Sequence, residues 1–256
     1  MDTSSPYTLS PEFWAEFVER HWERAPRVLE RPFAQPIASP EDVFGAVVDA
    51  SRAAREVRLQ RHATRVPRVR FFVDGAALMS DLDEHLPDER DGHPDRYFDR
   101  VAALLEDRPF ELVVNELQEH SFTLWSRLRS FLRGLYRHVG LPAARADAVA
   151  FLRRQERTSF GVHRDDASVF MFVLAGTKRV LTWPESSMRG REHVLMTREY
   201  HRFRDEAIVL EGQPGDVLYW PSSHWHIGEG DGRPSVSLNL SLIQWPPSMD
   251  VLRQLS

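Results

Sequence analysis

The chain has 256 residues, of which 42% are hydrophobic and 28% charged, enough apolar material for one large core domain under a solvated surface. Its net charge of -5 argues against nucleic acid as the main partner, because phosphate binders carry a basic excess. Without cysteine there is no disulfide framework and no thiolate metal site, so any bound metal must use histidine and carboxylate.

The first ten residues are polar and lack a basic n-region and an apolar h-region. No stretch approaches a membrane span, so a cytoplasmic protein with no membrane partner is expected. Ser10-Pro11-Glu12 is a helix start, and Phe13, Trp14, Phe17, Val18 and Trp22 recur at helical spacing to about Arg24. Pro26 and Pro32 bracket a short extended piece. A second helix is predicted from Ser39-Pro40-Glu41-Asp42 to about Ala54. Residues 66–74 read as a strand, 79–96 as an acidic loop, and the stretch after it as a helix with Tyr97, Phe98, Val101, Leu104 and Leu105 on one face. A strand at 110–117 and a helix at 122–138 follow, the helix stopped at Gly140-Leu141-Pro142.

From about residue 146 the pattern changes to short apolar runs punctuated by Gly, Pro and Asp: 147–153, 168–175, 178–183, 207–211, 216–220, 225–228 and 235–243. Many short strands with turn punctuation indicate a β-sandwich or barrel. The expected layout is a largely helical part, residues 1–145, packed on a β-barrel core, residues 146–245, within one domain.

Two segments of the barrel carry chemistry. In the first, Gly161-Val162-His163-Arg164-Asp165-Asp166 enters a buried strand. Residues two apart in extended backbone point the same way, which favours His163 with Asp165 over Asp166 as a ligand pair. In the second, Pro214-Gly215-Asp216-Val217-Leu218-Tyr219-Trp220-Pro221 leads to His224-Trp225-His226, and either histidine could be a third ligand. Two imidazoles and one carboxylate leave one face of an octahedral iron(II) open for a co-substrate and oxygen. The other eight histidines fit no such pattern and read as surface or loop residues.

The segments from Gly161 to Pro184 and from Gln213 to His226 resemble the JmjC-like cupins, 2-oxoglutarate-dependent oxygenases that include protein asparagine, arginine and histidine hydroxylases. The resemblance is specific over 147–243 and looser at Trp22 and Pro26–Leu29. It implies a double-stranded β-helix (jelly-roll, cupin) core in a mainly β fold with a helical N-terminal part. It implies iron(II), 2-oxoglutarate and O2 as cofactor and co-substrates. The family motif ends on the second histidine, which selects His226 and makes the metal and catalytic set His163, Asp165 and His226.

In that family a basic residue thirteen positions after the metal-binding aspartate holds the distal carboxylate of 2-oxoglutarate. Here the position is Lys178, the only lysine among 33 basic residues, in a chain that elsewhere uses arginine. The final strand alternates Val236, Leu238, Leu240 and Leu242 with Ser235, Ser237, Asn239 and Ser241. Two readings are open: a half-buried strand with its polar face in water, or a polar face lining the barrel with Asn239 near the co-substrate. Thr158, Ser159 and Asn115 are further candidates for co-substrate contact. Phe160 stands where some relatives carry a hydroxyl three residues before the first histidine.

The implied reaction is hydroxylation of an unactivated C–H bond, in the side chain of a peptide or protein substrate, a biosynthetic peptide being one option. The same chemistry on a free small molecule and a non-catalytic metal-binding cupin are the alternatives. The acidic loop 79–96 and the arginine-rich insertion 184–206 are the two regions that could recognise substrate, the latter otherwise a solvated loop. The chain runs only about ten residues past its last strand, short of the C-terminal extensions of ribosomal-protein hydroxylases, which sets the expectation against a ribosomal substrate. The oligomeric state is open, a homodimer among the options.

Overall fold

The computed structural model describes residues 5–59, 68–142, 144–197 and 199–243. The first helix, α1 (Pro11–Arg20), starts as its sequence dictates: the Ser10 hydroxyl accepts from the Phe13 N–H at 3.1 Å, and Pro11 occupies the first turn, where no N–H is needed. Strand β1 (Arg27–Leu29) and helix α2 (Pro40–Leu59) follow, then β2 (Val69–Val73), β3 (Ala76–Ala77), the single turn α3 (Leu82–His85), α4 (Pro94–Leu104), β4 (Phe110–Val114) and α5 (Phe122–Val139). The first part of the strand expected at 66–74, residues 66 and 67, lies outside the described residues.

The barrel consists of β5 (Arg145–Arg154), β6 (Ala167–Ala175), β7 (Lys178–Pro184), the one-turn α6 (Glu185–Met188), β8 (Ile208–Gly212), β9 (Val217–Trp220), β10 (His224–Glu229) and β11 (Ser235–Ile243). Two antiparallel sheets face each other, one of eight strands in the order β1-β9-β6-β11-β5-β4-β2-β3, the other of three in the order β10-β7-β8. The N-terminal part is therefore less purely helical than its sequence suggests. Four of its strands extend the large sheet, because β4 pairs with β5 and β1 with β9.

The large sheet has two different faces. Val236, Leu238, Leu240 and Leu242 of β11 pack on the helix side with Trp14, Phe17, Phe131, Phe170 and Phe172, in the main apolar core. Phe131 is the hub there: its ring lies 5.2 Å from Trp14, 5.2 Å from Phe170 and 5.4 Å from Phe172. Ser237, Asn239 and Ser241 take the opposite face and line a pocket between the sheets. Of the two readings of β11, the barrel-lining one is the arrangement found.

The segment 79–96 is built rather than open: α3 presents His85 to the Phe71 ring at 5.1 Å, and Arg100 holds buried Asp91 at 2.7 Å. His85 is thus a core residue, against the surface reading of its sequence context. The insertion 184–206 is likewise not a solvated loop. Met188, Val194, Tyr200 and Phe203 bury against Trp183, Val162 and Ile227 as a second apolar cluster, and the Trp183 indole donates to the Phe203 carbonyl at 3.0 Å. Its arginines are partly spoken for, Arg191 by Glu206 and Arg204 by Glu229, while Arg198 lies outside the described residues. Among the described residues, no helix is long and apolar enough to cross a membrane.

Candidate functional site

His163 and His226 lie 63 residues apart in sequence and are joined by reciprocal backbone hydrogen bonds. The His163 N–H donates to the His226 carbonyl at 3.0 Å, and the His226 N–H donates back at 2.7 Å. The segment bearing His163 is braced on its other side by the insertion: the Val162 N–H donates to Thr197 O, and the Met196 N–H donates to Val162 O, both at 2.8 Å. Gly161 makes this possible. Its φ is +71°, and a β-carbon there would meet the Thr197 carbonyl oxygen at 2.4 Å.

The two imidazole rings lie 4.3 Å apart, and Asp165 Oδ2 sits 3.9 Å from His163 Nε2 and 3.6 Å from His226 Nε2. One ligand atom from each of the three residues falls within 4.8 Å of the others. Both Nδ1 atoms face carbonyl oxygens, Gly161 O at 3.0 Å and His224 O at 3.3 Å. A carbonyl can only accept, so each Nδ1 carries its ring's proton and each Nε2 presents a lone pair inward. Burial pushes the His226 pKa well down, which keeps that imidazole neutral at ordinary pH. Neutral imidazoles beside a half-exposed carboxylate are the donor set a divalent cation needs.

His224 does not join this group. It is buried rather than at the rim or in solvent, with Nδ1 3.3 Å from the Ser223 hydroxyl, and burial lowers its pKa.

The triad opens on a cavity of about 860 Å³ between the two sheets. Lys178, Asn239, Thr158 and Asn115 all line it; Ser159 does not, its N–H instead donating to Glu111 Oε2 at 3.0 Å. Lys178 is the first residue of β7, four residues along the strand from Thr182, the partner of His226 in the β7–β10 register. That is about 13 Å of strand at 3.3 Å per residue. Lys178 is 2% exposed, and its ammonium makes no hydrogen bond to a described residue. Burial pushes its ammonium pKa well below the ordinary value, Arg153 pushes it further, and Glu111 opposes them.

Several residues that sequence reading missed complete the pocket. Glu111 and Arg153 are cross-strand partners in β4 and β5, 0% and 3% exposed, and both face inward beside Lys178. Gly228 and Gly230 make room for the guanidinium, since β-carbons there would approach its nitrogens at 3.1 and 3.0 Å. Arg70 of β2, Phe160 and Trp220 line the remaining wall, with the Trp220 ring 5.0 Å from His226 and the Phe160 ring 5.7 Å from His163. The available signal was a charge interrupting an otherwise apolar strand, as in Phe110-Glu111-Leu112 and Val69-Arg70-Phe71.

Residues 136–250 match the family described as the JmjC domain. That match takes in the barrel and the end of α5. Solved structures with this architecture include that of YcfD, a ribosomal oxygenase from Escherichia coli, at 20% identity and a TM-score of 0.56, covering 94% of this chain and 54% of that one. The same enzyme in complex with cobalt and succinic acid aligns at 20% identity and a TM-score of 0.54, covering 94% and 53% of the two chains. Its complex with cobalt and 2-oxoglutarate aligns at 19% identity and a TM-score of 0.54, covering 94% and 54%. The chain described here therefore spans about half the length of these structures, and the likeness establishes the fold. No curated protein sequence matches it.

Proposed function

We propose that the protein is an iron(II)- and 2-oxoglutarate-dependent dioxygenase that hydroxylates an unactivated C–H bond of an amino-acid side chain in a peptide or protein. The observation that carries this reading is the juxtaposition of the His163–Asp165–His226 triad with unpartnered, buried Lys178 in one pocket.

The pocket fits such a co-substrate. Buried Glu111 Oε1, Arg153 Nε, Thr158 Oγ1, Ser237 Oγ, Asn239 Oδ1 and Trp220 Nε1 all lack partners, and all six residues line it. Orphaned buried polar atoms are rare, and their concentration in one cavity marks a ligand site. Lys178 with Arg153 behind it would take the distal carboxylate, and Ser237, Asn239 and Thr158 would hydrogen-bond the body of the molecule. The YcfD structures with cobalt and 2-oxoglutarate support the same pairing of metal and co-substrate here.

His163, Asp165 and His226 would hold the metal, with Asp165 supplying the negative charge and the Nδ1 hydrogen bonds fixing both rings. When bound, iron(II) supplies the redox chemistry by which O2 oxidises 2-oxoglutarate to succinate and CO2, one oxygen atom entering succinate and the other the substrate hydroxyl. Catalysis by the chain itself is positional. Val149, Met171, Phe160 and Trp220 wall the pocket with apolar surface that keeps water from the reacting centre. The YcfD enzyme is a ribosomal oxygenase, which supports a protein side chain as substrate over a free small molecule.

The decisive assay is succinate release from 2-oxoglutarate with iron(II), with and without candidate peptides. A wild-type protein that neither binds nor consumes 2-oxoglutarate would refute the reading.

A further inference from the structure

Two cations face the pocket without a hydrogen bond or ion pair to any described residue. Lys178 is absorbed by the co-substrate. Arg70 is not. The other arginines lining the pocket are engaged: Arg145 by Glu116 at 3.0 Å, Arg164 by Glu185 at 3.4 Å, Arg179 by Glu211 at 2.9 Å, and Arg153 by the Glu229 carbonyl at 2.6 Å.

Arg70 is half-buried, its Nε fully so and without an acceptor. The guanidinium lies 4.9 Å from the centre of the Phe160 ring, and that ring is held edge-on by Phe72 at 5.2 Å and rests 5.7 Å from His163. The fork is thus pinned on an aromatic face one ring away from the metal triad. Lys178 belongs to the three-stranded sheet and Arg70 to the eight-stranded one, so the two cations address the cavity from different walls.

The acids whose charge reaches Arg70 are Glu111 and Asp165, and neither is within ion-pair distance. Glu111 Oε2 is taken by the Ser159 N–H and the Gln155 amide, both at 3.0 Å, and Asp165 belongs to the triad. Asp147, farther up the same pocket, accepts from the Glu116 N–H at 2.8 Å.

We propose that Arg70 anchors a carboxylate of the primary substrate, which makes the substrate a carboxylate-bearing peptide: one with an acidic side chain, or one with a free C-terminus, next to the C–H bond that reacts. This rests on the oxygenase reading above. A planar guanidinium matches a carboxylate with two parallel hydrogen bonds, and its partial burial strengthens them. A lysine or arginine side chain entering the space beside Arg70 would meet it as a like charge.

The test uses four short acetylated peptides: one containing Asp and Glu with an amidated C-terminus, one neutral with a free C-terminal carboxylate, one neutral and amidated, and one containing Arg and His and amidated. Binding is measured by calorimetry on the full chain loaded with manganese(II) and 2-oxoglutarate, alongside 2-oxoglutarate binding itself. The expected result is that the acidic or the free-carboxylate peptide, whichever is the source, binds at least about tenfold tighter than the amidated neutral and basic ones, a margin of about 1.4 kcal/mol. Arg70→Gln abolishes that preference and leaves 2-oxoglutarate affinity within about threefold of wild type. Arg70→Lys, which keeps the charge without the fork, recovers part of it.

Retained 2-oxoglutarate binding also shows that the variants fold. Loss of 2-oxoglutarate binding in Arg70→Gln, a preference for the basic peptide, or no preference in wild type each overturns the assignment. A wild type that fails to bind 2-oxoglutarate overturns the oxygenase reading instead, so the two failures are distinguishable.

Discussion

Replacing Lys178 with Met should weaken the binding of 2-oxoglutarate and strengthen the fold in the same molecule. The ammonium is 2% exposed, has no acceptor among the described residues, and shares its corner with the like charge of Arg153. Met keeps the volume and removes the uncompensated charge, so the desolvation cost carried by the ligand-free protein disappears. Stripping one partner from a buried charge pair costs about 3–5 kcal/mol, which is a loss of about two to four decades in affinity for the dicarboxylate. Each kcal/mol gained by the fold should raise the melting temperature by about 2–4 °C for a domain of this size. Calorimetric titration of 2-oxoglutarate into the manganese(II)-loaded protein, with thermal unfolding of the ligand-free protein alongside, reads both effects. An affinity loss under about tenfold, or a melting temperature that falls, would refute the idea that Lys178 is a buried cation kept for a carboxylate.

The same residue makes co-substrate binding depend on pH. Burial first and Arg153 second lower the Lys178 pKa in the free protein, Glu111 opposes them, and an added carboxylate raises the pKa again, so binding takes up a proton between the two values. Affinity is therefore full below the depressed pKa and falls as pH rises above it, by up to about tenfold per pH unit; titrations in buffers of different ionisation enthalpy count the proton, and Lys178→Arg should flatten the profile. At the metal, His163→Ala, Asp165→Ala or His226→Ala should each cut cobalt(II) affinity by at least about tenfold, whereas His224→Ala should leave it within a few-fold; cobalt absorbance distinguishes them. Gly161→Ala forces a β-carbon to 2.4 Å from Thr197 O at a φ of +71°, so it should lower both metal affinity and melting temperature, with a stability loss of about 1–3 kcal/mol by denaturant titration. Phe131→Ala, at the centre of the aromatic core, should cost about 3–5 kcal/mol while leaving metal affinity of the folded protein intact.

Much of the barrel was legible in the sequence because each of its strands carries its own punctuation. The runs expected at 168–175, 178–183 and 235–243 became β6, β7 and β11 within about two residues, bounded by Gly176 and by the Pro234 turn. The pairing of His163 with Asp165 was legible in their two-residue spacing, whereas the choice of His226 over His224 came from the resemblance to the JmjC-like cupins. What stayed hidden depends on pairings across long stretches of chain. Nothing local says that β4 joins β5, so Glu111 could not be placed beside Arg153, nor Arg70 beside Phe160. The insertion 184–206 misled for a physical reason: its many arginines read as a solvated surface, while Met188, Val194, Tyr200 and Phe203 lack any regular period yet form a core.

That insertion also explains how the centre is assembled. Three segments distant in sequence must meet: the turn from Gly161 to Asp165, the stretch from Val194 to Thr197, and β10 with His226. Each contributes backbone hydrogen bonds to the next, so His163 is fixed from both sides before any metal is added. The cost is concentrated elsewhere in the pocket, in the unpartnered polar atoms of Glu111, Arg153, Thr158, Ser237 and Asn239. A fold tolerates such a set when a ligand satisfies it, and metal coordination alone would not reach Lys178, four residues along β7 from the partner of His226. On the proposed reading the pocket takes a molecule long enough to touch both ends, and that requirement, more than the triad, would separate a dicarboxylate-using oxygenase from a plain metal-binding barrel.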